Sequence, residues 1–364
     1  MRVLIAAGGT GGHILPAIAV GSVLSGRRIT VDYLCGERDV ELALYRQHNL
    51  QPLVVPARQL GQGLGGKLRG FGAAMSNVVR CARLIHSRQY AVVVGMGGYV
   101  AGPALAAALC LRRPTLVHEA NSVIGKTNRL LAPFVSRLAV NFESCVVGSR
   151  VHRNTVVVGM PIRSWLLNGS RSEACRIFDL DATKKTLLVV GGSQGARRLY
   201  EILLETLPLL DGPDVANLQI LWSGGTANFE WVAQRLKAIN LRYLQVRLIP
   251  YIEHMEHALA VADAAIARAG ASTIAELLAA GIYALYVPLP SAIYDHQRLN
   301  AEQVVRAGAG RMVLESELTP ERLSAEVREL FAGAVADRSN VARLGELHRR
   351  AAERLAEEIV SLAK

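Results

Sequence analysis

The sequence predicts an α/β protein of two doubly wound, Rossmann-like domains, and three observations lead there. Short apolar runs of strand length alternate with longer stretches of helical period, the rhythm of a parallel sheet with helices on both faces. The rhythm breaks after Met160-Pro161 and resumes near residue 186. Each half opens with the same device, a strand running through a glycine turn into a helix start: VLIAAGGTGGH at 3–13 and LLVVGGSQGA at 187–196.

In the first half the predicted strands are VLIAA (3–7), VDYLC (31–35), PLVV (52–55), AVVVGM (91–96), TLVHE (115–119), RLAVNF (137–142) and TVVVG (155–159). The second half supplies TLLVVGG (186–192), LQILWSG (218–224), VRLIPYI (246–252), AAIARAG (264–270) and ALYVPLP (284–290). Such unbroken apolar runs suit strands buried on both sides. The domains are expected at 1–162 and 163–340, joined near Pro161 to Asn168, with the polar stretch 168–184 as a linker or irregular opening. Residues 341–364 read as one charged amphipathic helix able to pack back on the first domain, although its partner is not identified by the sequence.

A chain of 364 residues that is 51% hydrophobic is too large for one ordinary core. Its five cysteines are odd in number, scattered and free of CxxC spacing, which argues against a disulfide framework and against a thiolate zinc site, and fits a reducing cytosol. The opening apolar run is too short for a signal peptide, and the weakly polar run Tyr99 to Leu111 falls short of a membrane span. Residues 1–160 hold 18 Lys and Arg against 6 Asp and Glu, a net +12, whereas the remainder holds 23 against 24, a net −1. A basic half attracts phosphorylated substrates, anionic lipid headgroups or nucleic acid; simple solubility is the alternative.

Both glycine turns are candidate phosphate cradles, because glycine lets backbone approach a ligand and the helix start offers N–H groups to an anion. Neither is a dinucleotide GxGxxG in register or a Walker loop, and plain tight turns remain the other reading. His13, at the mouth of the first helix, suits a general base; it equally suits a hydrogen bond to a loop carbonyl. In ARAGASTIAELLAAG, Ser272 or Thr273 is placed to cap a helix 274–280. Thr273 and Glu276 have capping-box spacing, and Glu276 alternatively accepts ribose hydroxyls. Asp295, His296, Gln297 and Asn300 bring hydrogen-bonding groups suited to a sugar, and HEANSVIGKTN supplies His118, Glu119, Asn121 and Lys126, for which ion pairing and capping are the alternatives. Within 66–88, Phe71, Ala74, Met75, Val78, Val79, Ala82 and Ile85 recur at helical spacing beside Arg69, Arg80, Arg83 and Arg88, which reads as a core face or as a basic helix at a membrane surface. The literal Asp179-Leu180-Asp181 precedes a strand and reads as a solvated turn rather than a metal motif.

Taken in order, GGTGGH, GMGGYVAGP, HEAN, VGMPIR, GGSQGAR, RAGASTIAEL and DHQRLNA run through nearly the whole chain, and the ordered set resembles the MurG family of N-acetylglucosaminyltransferases. The resemblance implies a GT-B fold, with an acceptor- and membrane-associated first domain facing a UDP-sugar-binding second domain across a cleft. It implies an inverting transfer from UDP-N-acetylglucosamine to the muramoyl 4-hydroxyl of undecaprenyl-pyrophosphoryl-muramoyl-pentapeptide, lipid I to lipid II, in peptidoglycan synthesis. No metal or cofactor is implied, nor any nucleic acid. The expected place is peripheral, on the anionic cytoplasmic face of the inner membrane, with other cell-wall assembly proteins as partners.

Carried over by motif, His13 and Glu119 are the catalytic candidates in the acceptor half. Thr10, Gly11, Gly12, Asn121 and Arg163 match donor contacts, Ser193 a diphosphate contact, and Ile252 a backbone contact to uracil. Ala271, Ser272, Thr273, Ile274, Ala275 and Glu276 match the ribose-and-phosphate helix start, and Gln297 a sugar contact. Three positions depart from the family pattern: Ala120 replaces the usual glutamine of HEQN, Met160 the asparagine of GNP, and Ala269 a serine. The rival readings are another GT-B enzyme using a UDP-sugar, such as a glycolipid glycosyltransferase or a UDP-sugar 2-epimerase, and a non-catalytic nucleotide-sugar-binding scaffold.

Overall fold

The structure is a computed structural model that describes residues 1–56, 64–147, 154–192, 196–332 and 338–363, with the backbone alone for 64–71, 146 and 147. The chain divides into two compact units, Met1–Arg163 with Arg349–Lys364, and Ser164–His348.

The first unit is built on a parallel seven-stranded sheet of β1 (Arg2–Ala7), β2 (Thr30–Cys35), β3 (Leu53–Val54), β4 (Val92–Gly97), β5 (Thr115–Glu119), β6 (Arg137–Val140) and β7 (Thr155–Val157), in the order β3-β2-β1-β4-β5-β6-β7. Successive side chains of a strand point to opposite faces, so β1 feeds two cores. Val3, Ile5 and Ala7 pack with Ile14, Ala17 and Ile18 of the helix Gly11–Gly26, while Leu4 and Ala6 pack with Cys81, Ile85 and Ala104 on the other side. In the long helix Leu64–Arg88, Cys81 and Ile85 are buried, but Met75 and Val79 stand about half exposed, so the apolar stripe serves the core along only part of its length. Phe71 and Arg69 lie outside the residues whose side chains are described.

The second unit carries a parallel six-stranded sheet of β8 (Lys185–Val190), β9 (Leu218–Ser223), β10 (Gln245–Ile249), β11 (Ala264–Ala267), β12 (Ala284–Tyr286) and β13 (Gly310–Met312), ordered β10-β9-β8-β11-β12-β13. The apolar-run reading missed β13, a three-residue edge strand of Gly, Arg and Met; its register beside β12 depends on Gly310, where a β-carbon would lie 2.9 Å from the Tyr286 ring.

Two further expectations are corrected. The polar stretch 168–184 contains a helix, Arg171–Phe178, whose N-cap Ser170 accepts the Glu173 N–H; Ser170-x-x-Glu173 is a capping-box signature that the polarity of the segment obscured. The segment expected to be one C-terminal helix carries two, Arg338–Arg349 and Ala351–Leu362. Val341, Gly345 and His348 are buried in the second unit, with Gly345 so close to the Leu278 carbonyl that a β-carbon would stand 2.3 Å from its oxygen. Beyond Arg350, Ala352, Leu355, Ala356 and Ile359 form a new apolar stripe that joins the first unit's core, flanked by ion pairs of Arg137 with Glu358 at 2.9 Å and Arg27 with Glu357 at 3.6 Å. Asp179 is a left-handed helix cap bonded to Arg247, and Asp181 accepts both the N–H and the hydroxyl of Thr183, so this pair forms a turn. Among the described residues no helix is long and apolar enough to cross a membrane.

Candidate active site

In an open parallel sheet, ligands bind beyond the carboxyl ends of the strands where the strand order reverses. In the first unit that point lies between β1 and β4, because the chain leaves β1 toward β2 on one side and later returns as β4 on the other. The loops Gly8–Thr10 and Gly97–Tyr99 end those two strands. Thr10, exposed and extended (φ −137°, ψ 165°), is the N-cap of the helix, with no side-chain cap bond. Gly11 and Gly12 follow, and first-turn N–H groups have no intrahelical carbonyl to bond.

His13 is seated between the two loops. Its Nδ1 is 3.1 Å from the Gly8 carbonyl oxygen, which can only accept, so Nδ1 carries the proton and Nε2 is the basic nitrogen of the neutral ring. The ring lies against Gly97 (φ +108°), where a β-carbon would stand 2.5 Å from Cδ2. At Gly98 (φ +78°) a β-carbon would stand 2.3 Å from the Gly8 oxygen. The turn therefore holds a histidine by backbone contacts that only glycine permits.

The end of β5 is a second polar centre. His118 is buried and bonded through Nε2 to the Gly159 oxygen at 3.0 Å; burial pushes its pKa below the ordinary value. Glu119 is 4% exposed, and its carboxylate faces its own loop. Oε1 accepts the Asn121 N–H at 3.0 Å and the Asn121 amide at 3.4 Å, while Oε2 accepts the Gly125 N–H at 2.9 Å and the Asn128 amide at 2.8 Å. Four bonds use the acceptor capacity of a carboxylate, so the geometry makes Glu119 the clasp of the loop that presents Asn121. Ala120 is buried, and its carbonyl accepts from Asn141 at 2.8 Å. Arg163 is close enough to His48 that its charge, after burial, helps lower the histidine's pKa.

In the second unit the order reverses between β8 and β11. The glycine turn after β8 is described only through Gly192 (φ +77°), and Ser193 lies outside the described residues. After β11, Gly270 (φ −66°, ψ 139°) is the N-cap of the helix Ala271–Ala279, with no side-chain cap bond. Ser272 and Thr273 are thus inside the first turn and cap nothing, and the expected Thr273–Glu276 box does not form, because glycine already occupies the cap position. Ser272, Thr273 and Glu276 share the partly exposed stripe of this helix, and Ala271, Ile274 and Ala275 face the core. The Ile274 N–H bonds Gly270, and the Ala275 N–H lies within the helix ladder, so these two residues frame the helix start with their N–H groups already bonded.

Ile252, just beyond β10, is 2% exposed and can offer only backbone. Gln297 Oε1 accepts the Leu289 N–H at 3.0 Å, which leaves its amide NH2 as the donor end. The sequence reading passed over Arg268, which is 5% exposed and donates to the Val287 and Pro288 oxygens at 3.1 Å each and to Glu315. It braces the loop to which Gln297 is tied. Also passed over were Asn128, Tyr99 and Glu41; a carboxylate at a core-facing helical position was the available signal for Glu41. Among the described residues no group of three His, Cys, Asp or Glu side chains is placed to hold a metal.

Residues 3–140 match the glycosyltransferase family 28 N-terminal domain, and residues 186–355 match its C-terminal domain. The UDP-N-acetylglucosamine–N-acetylmuramyl-(pentapeptide) pyrophosphoryl-undecaprenol N-acetylglucosamine transferase of Nitrosococcus oceani is 39% identical over 367 residues, covering 100% of this chain and 99% of its own. The crystal structure of Acinetobacter baumannii MurG superposes with a TM-score of 0.76 at 29% identity, covering 99% of both chains. A UDP-N-acetylglucosamine 2-epimerase structure from Listeria monocytogenes, described as putative, gives 0.69 at 12% identity over 99% of this chain and 96% of its own, a likeness of fold alone. With both domains of the family in order and a full-length relative of this identity, the chain belongs to glycosyltransferase family 28 and, within it, to the MurG family.

Proposed function

We propose that the chain moves N-acetylglucosamine from UDP-N-acetylglucosamine to the muramoyl 4-hydroxyl of undecaprenyl-pyrophosphoryl-muramoyl-pentapeptide. The observation that carries the substrate pair is the 39% identity, over the full length, to a transferase named for that donor and acceptor. The geometry of the chain's own residues supports the chemistry. His13, with Nδ1–H committed to Gly8, presents Nε2 as the group that takes the proton of the attacking hydroxyl. The acceptor oxygen forms a bond to the anomeric carbon on the face opposite the leaving group, the bond from that carbon to the diphosphate oxygen breaks, and UDP departs with the electron pair. Arg163, the Ser193 turn and the first-turn N–H groups of Ala271, Ser272 and Thr273 are the groups assigned to the charge that develops on the diphosphate.

Glu119 enters as a positioning residue that holds Asn121 and not as the base, since its oxygens are already committed. Glu276 takes the ribose hydroxyls, supported by its place on the partly exposed stripe with Ser272 and Thr273. The lipid-linked acceptor calls for peripheral attachment to an anionic membrane surface on the cytoplasmic side. Supporting it are the net +12 of residues 1–160 and the exposed Met75, Val79, Leu130 and Phe134 of the first unit. The test is transfer of label from UDP-N-acetylglucosamine to a short-chain lipid acceptor. Wild type is expected to glycosylate the acceptor, and His13→Ala to lose about 100-fold or more in kcat while still binding UDP; near wild-type turnover in that variant would remove His13 as the base.

A further inference from the structure

Glu41 is the most deeply buried carboxylate among the described residues, with none of its surface exposed, and the transfer chemistry makes no use of it. It stands on the helix Asp39–Gln47, on the face that also buries Tyr45. Its Oε2 accepts the backbone N–H of Gly36, just past β2, at 2.9 Å, and its Oε1 accepts the hydroxyl of Tyr99 from the loop after β4. The third neighbour is Gly8, at the end of β1, where a β-carbon would lie 2.9 Å from Oε2. β2, β1 and β4 are adjacent in the sheet, so one side chain bonds the loops that follow β2 and β4 and packs against the end of β1 between them.

Glycine is required on both sides of this contact. At Gly36 a β-carbon would stand 2.1 Å from the Tyr99 oxygen, so the phenol is pressed onto bare backbone. The Gly36 N–H can only donate and the Tyr99 hydroxyl donates here, so a carboxylate, which only accepts, meets both as they stand; an amide meets both only by turning the Tyr99 hydroxyl from donor into acceptor. A buried polar group is costly unless hydrogen bonds compensate it, so a carboxyl group at this point has a specific geometry to maintain. The same Gly8 whose Cα faces Oε2 gives its carbonyl to His13, and the same loop that carries Tyr99 gives the Gly97 surface on which the His13 ring rests.

We propose, resting on the transfer reading above, that Glu41 is a positioning residue of the acceptor half: through Gly36, Tyr99 and Gly8 it sets the relative placement of the two glycine turns that seat His13. It does not touch substrate. Its effect is on acceptor turnover, with the donor site of the second unit untouched.

The experiment compares full-length wild type, Glu41→Gln, Tyr99→Phe and the double variant in two measurements. In the transfer assay with labelled UDP-N-acetylglucosamine and a short-chain lipid acceptor, Glu41→Gln replaces the carboxylate by an amide, whose oxygen is a weaker acceptor for the Gly36 N–H and whose N–H2 reverses the bond to the Tyr99 hydroxyl. It is expected to lower kcat/KM for the acceptor on the order of tenfold to a hundredfold, with the donor KM unchanged. Tyr99→Phe keeps the ring and removes one bond, so it is expected to give a smaller loss of the same kind. The double variant is expected to lose less than the product of the two single losses, because both changes disturb the same side-chain cluster. Glu41→Asp, which keeps a carboxyl group, is expected to recover part of the activity. In hydrogen exchange, Glu41→Gln is expected to speed exchange at the Gly36 amide and in peptides covering 8–13 and 97–100, with peptides of 185–330 unchanged. Unaltered acceptor kinetics in Glu41→Gln, losses that multiply in the double variant, or unaltered exchange at Gly36 would each overturn the assignment. If wild type transfers nothing, the transfer reading fails by itself, and the exchange at Gly36 and at 97–100 still decides whether Glu41 holds the turns.

Discussion

The ring of His13 lies against the backbone of Gly97, near enough that a β-carbon on Gly97 would stand 2.5 Å from Cδ2 and 2.8 Å from Nε2. The contact joins the first turn of one helix to a loop more than eighty residues further along the chain, and it makes a single hydrogen atom at position 97 a condition for where Nε2 points.

Gly97→Ala is therefore expected to damage catalysis more than stability. The methyl group must displace the ring, and φ of +108° is strained for any residue with a β-carbon. Transfer should fall about 100-fold, a loss that a misplaced catalytic group can cause, while UDP affinity stays. Gly26→Ala, at the exposed end of the helix Gly11–Gly26 with nothing within 4 Å, should leave both near wild type. Steady-state kinetics with a UDP titration separates the outcomes, and equal effects of the two substitutions would contradict the packing argument.

Glu119→Gln tests the clasp against a base. An amide nitrogen among the N–H groups of Asn121, Gly125 and Asn128 leaves buried donors unmet, which costs about 1–3 kcal/mol and should lower the unfolding midpoint by several degrees. With Asn121 loosened, the donor KM should rise, and the pH dependence of kcat should keep its shape. Disappearance of the acidic limb of that profile would return Glu119 to the role of base.

His348 supplies a pH dependence of stability. Burial lowers its pKa from 6.5 to about 4. Between those values the unfolded chain binds a proton that the folded chain does not, so the folded state keeps its full stability above pH 6.5 and loses it as the pH falls toward 4, by on the order of 3 kcal/mol. His348→Asn should remove that component. Urea unfolding of both proteins at neutral and acidic pH reads it: the gap in stability between them should shrink in acid, and a constant gap would refute the assignment.

Leu130 and Phe134 are 73% and 69% exposed, beside the exposed Lys126 and Arg129. If this surface meets lipid, Leu130→Ser with Phe134→Ser should weaken binding to anionic vesicles about tenfold or more, since each side chain loses apolar burial. Salt should weaken wild-type binding as well. Vesicle sedimentation at low and high salt checks both, and unchanged binding in the double variant would move the membrane contact elsewhere.

Much of this molecule was legible in the chain because strand periodicity and glycine turns are local properties. VLIAA followed by GGTGGH needs no distant residue to be read as a strand, a turn and a helix start, and the same holds for LLVVGG and for RAGASTIAEL. The burial of unbroken apolar runs then specifies two parallel sheets, and the ordered motifs identify the family.

What only the tertiary structure decided are the directions of side chains whose partners lie far off. Glu41 and Tyr99 are 58 positions apart and Gly36 must close between them, so no window of sequence contains the contact. Glu119 sits in a catalytic-looking motif, yet the loop folds back and uses both of its oxygens, because a buried carboxylate must find donors and the nearest were its own. The three-residue β13 and the break at Arg350 likewise follow from surfaces: an edge left open beside Tyr286, and two apolar stripes that belong to different cores. Periodicity states that a face is apolar, and only packing states which core receives it.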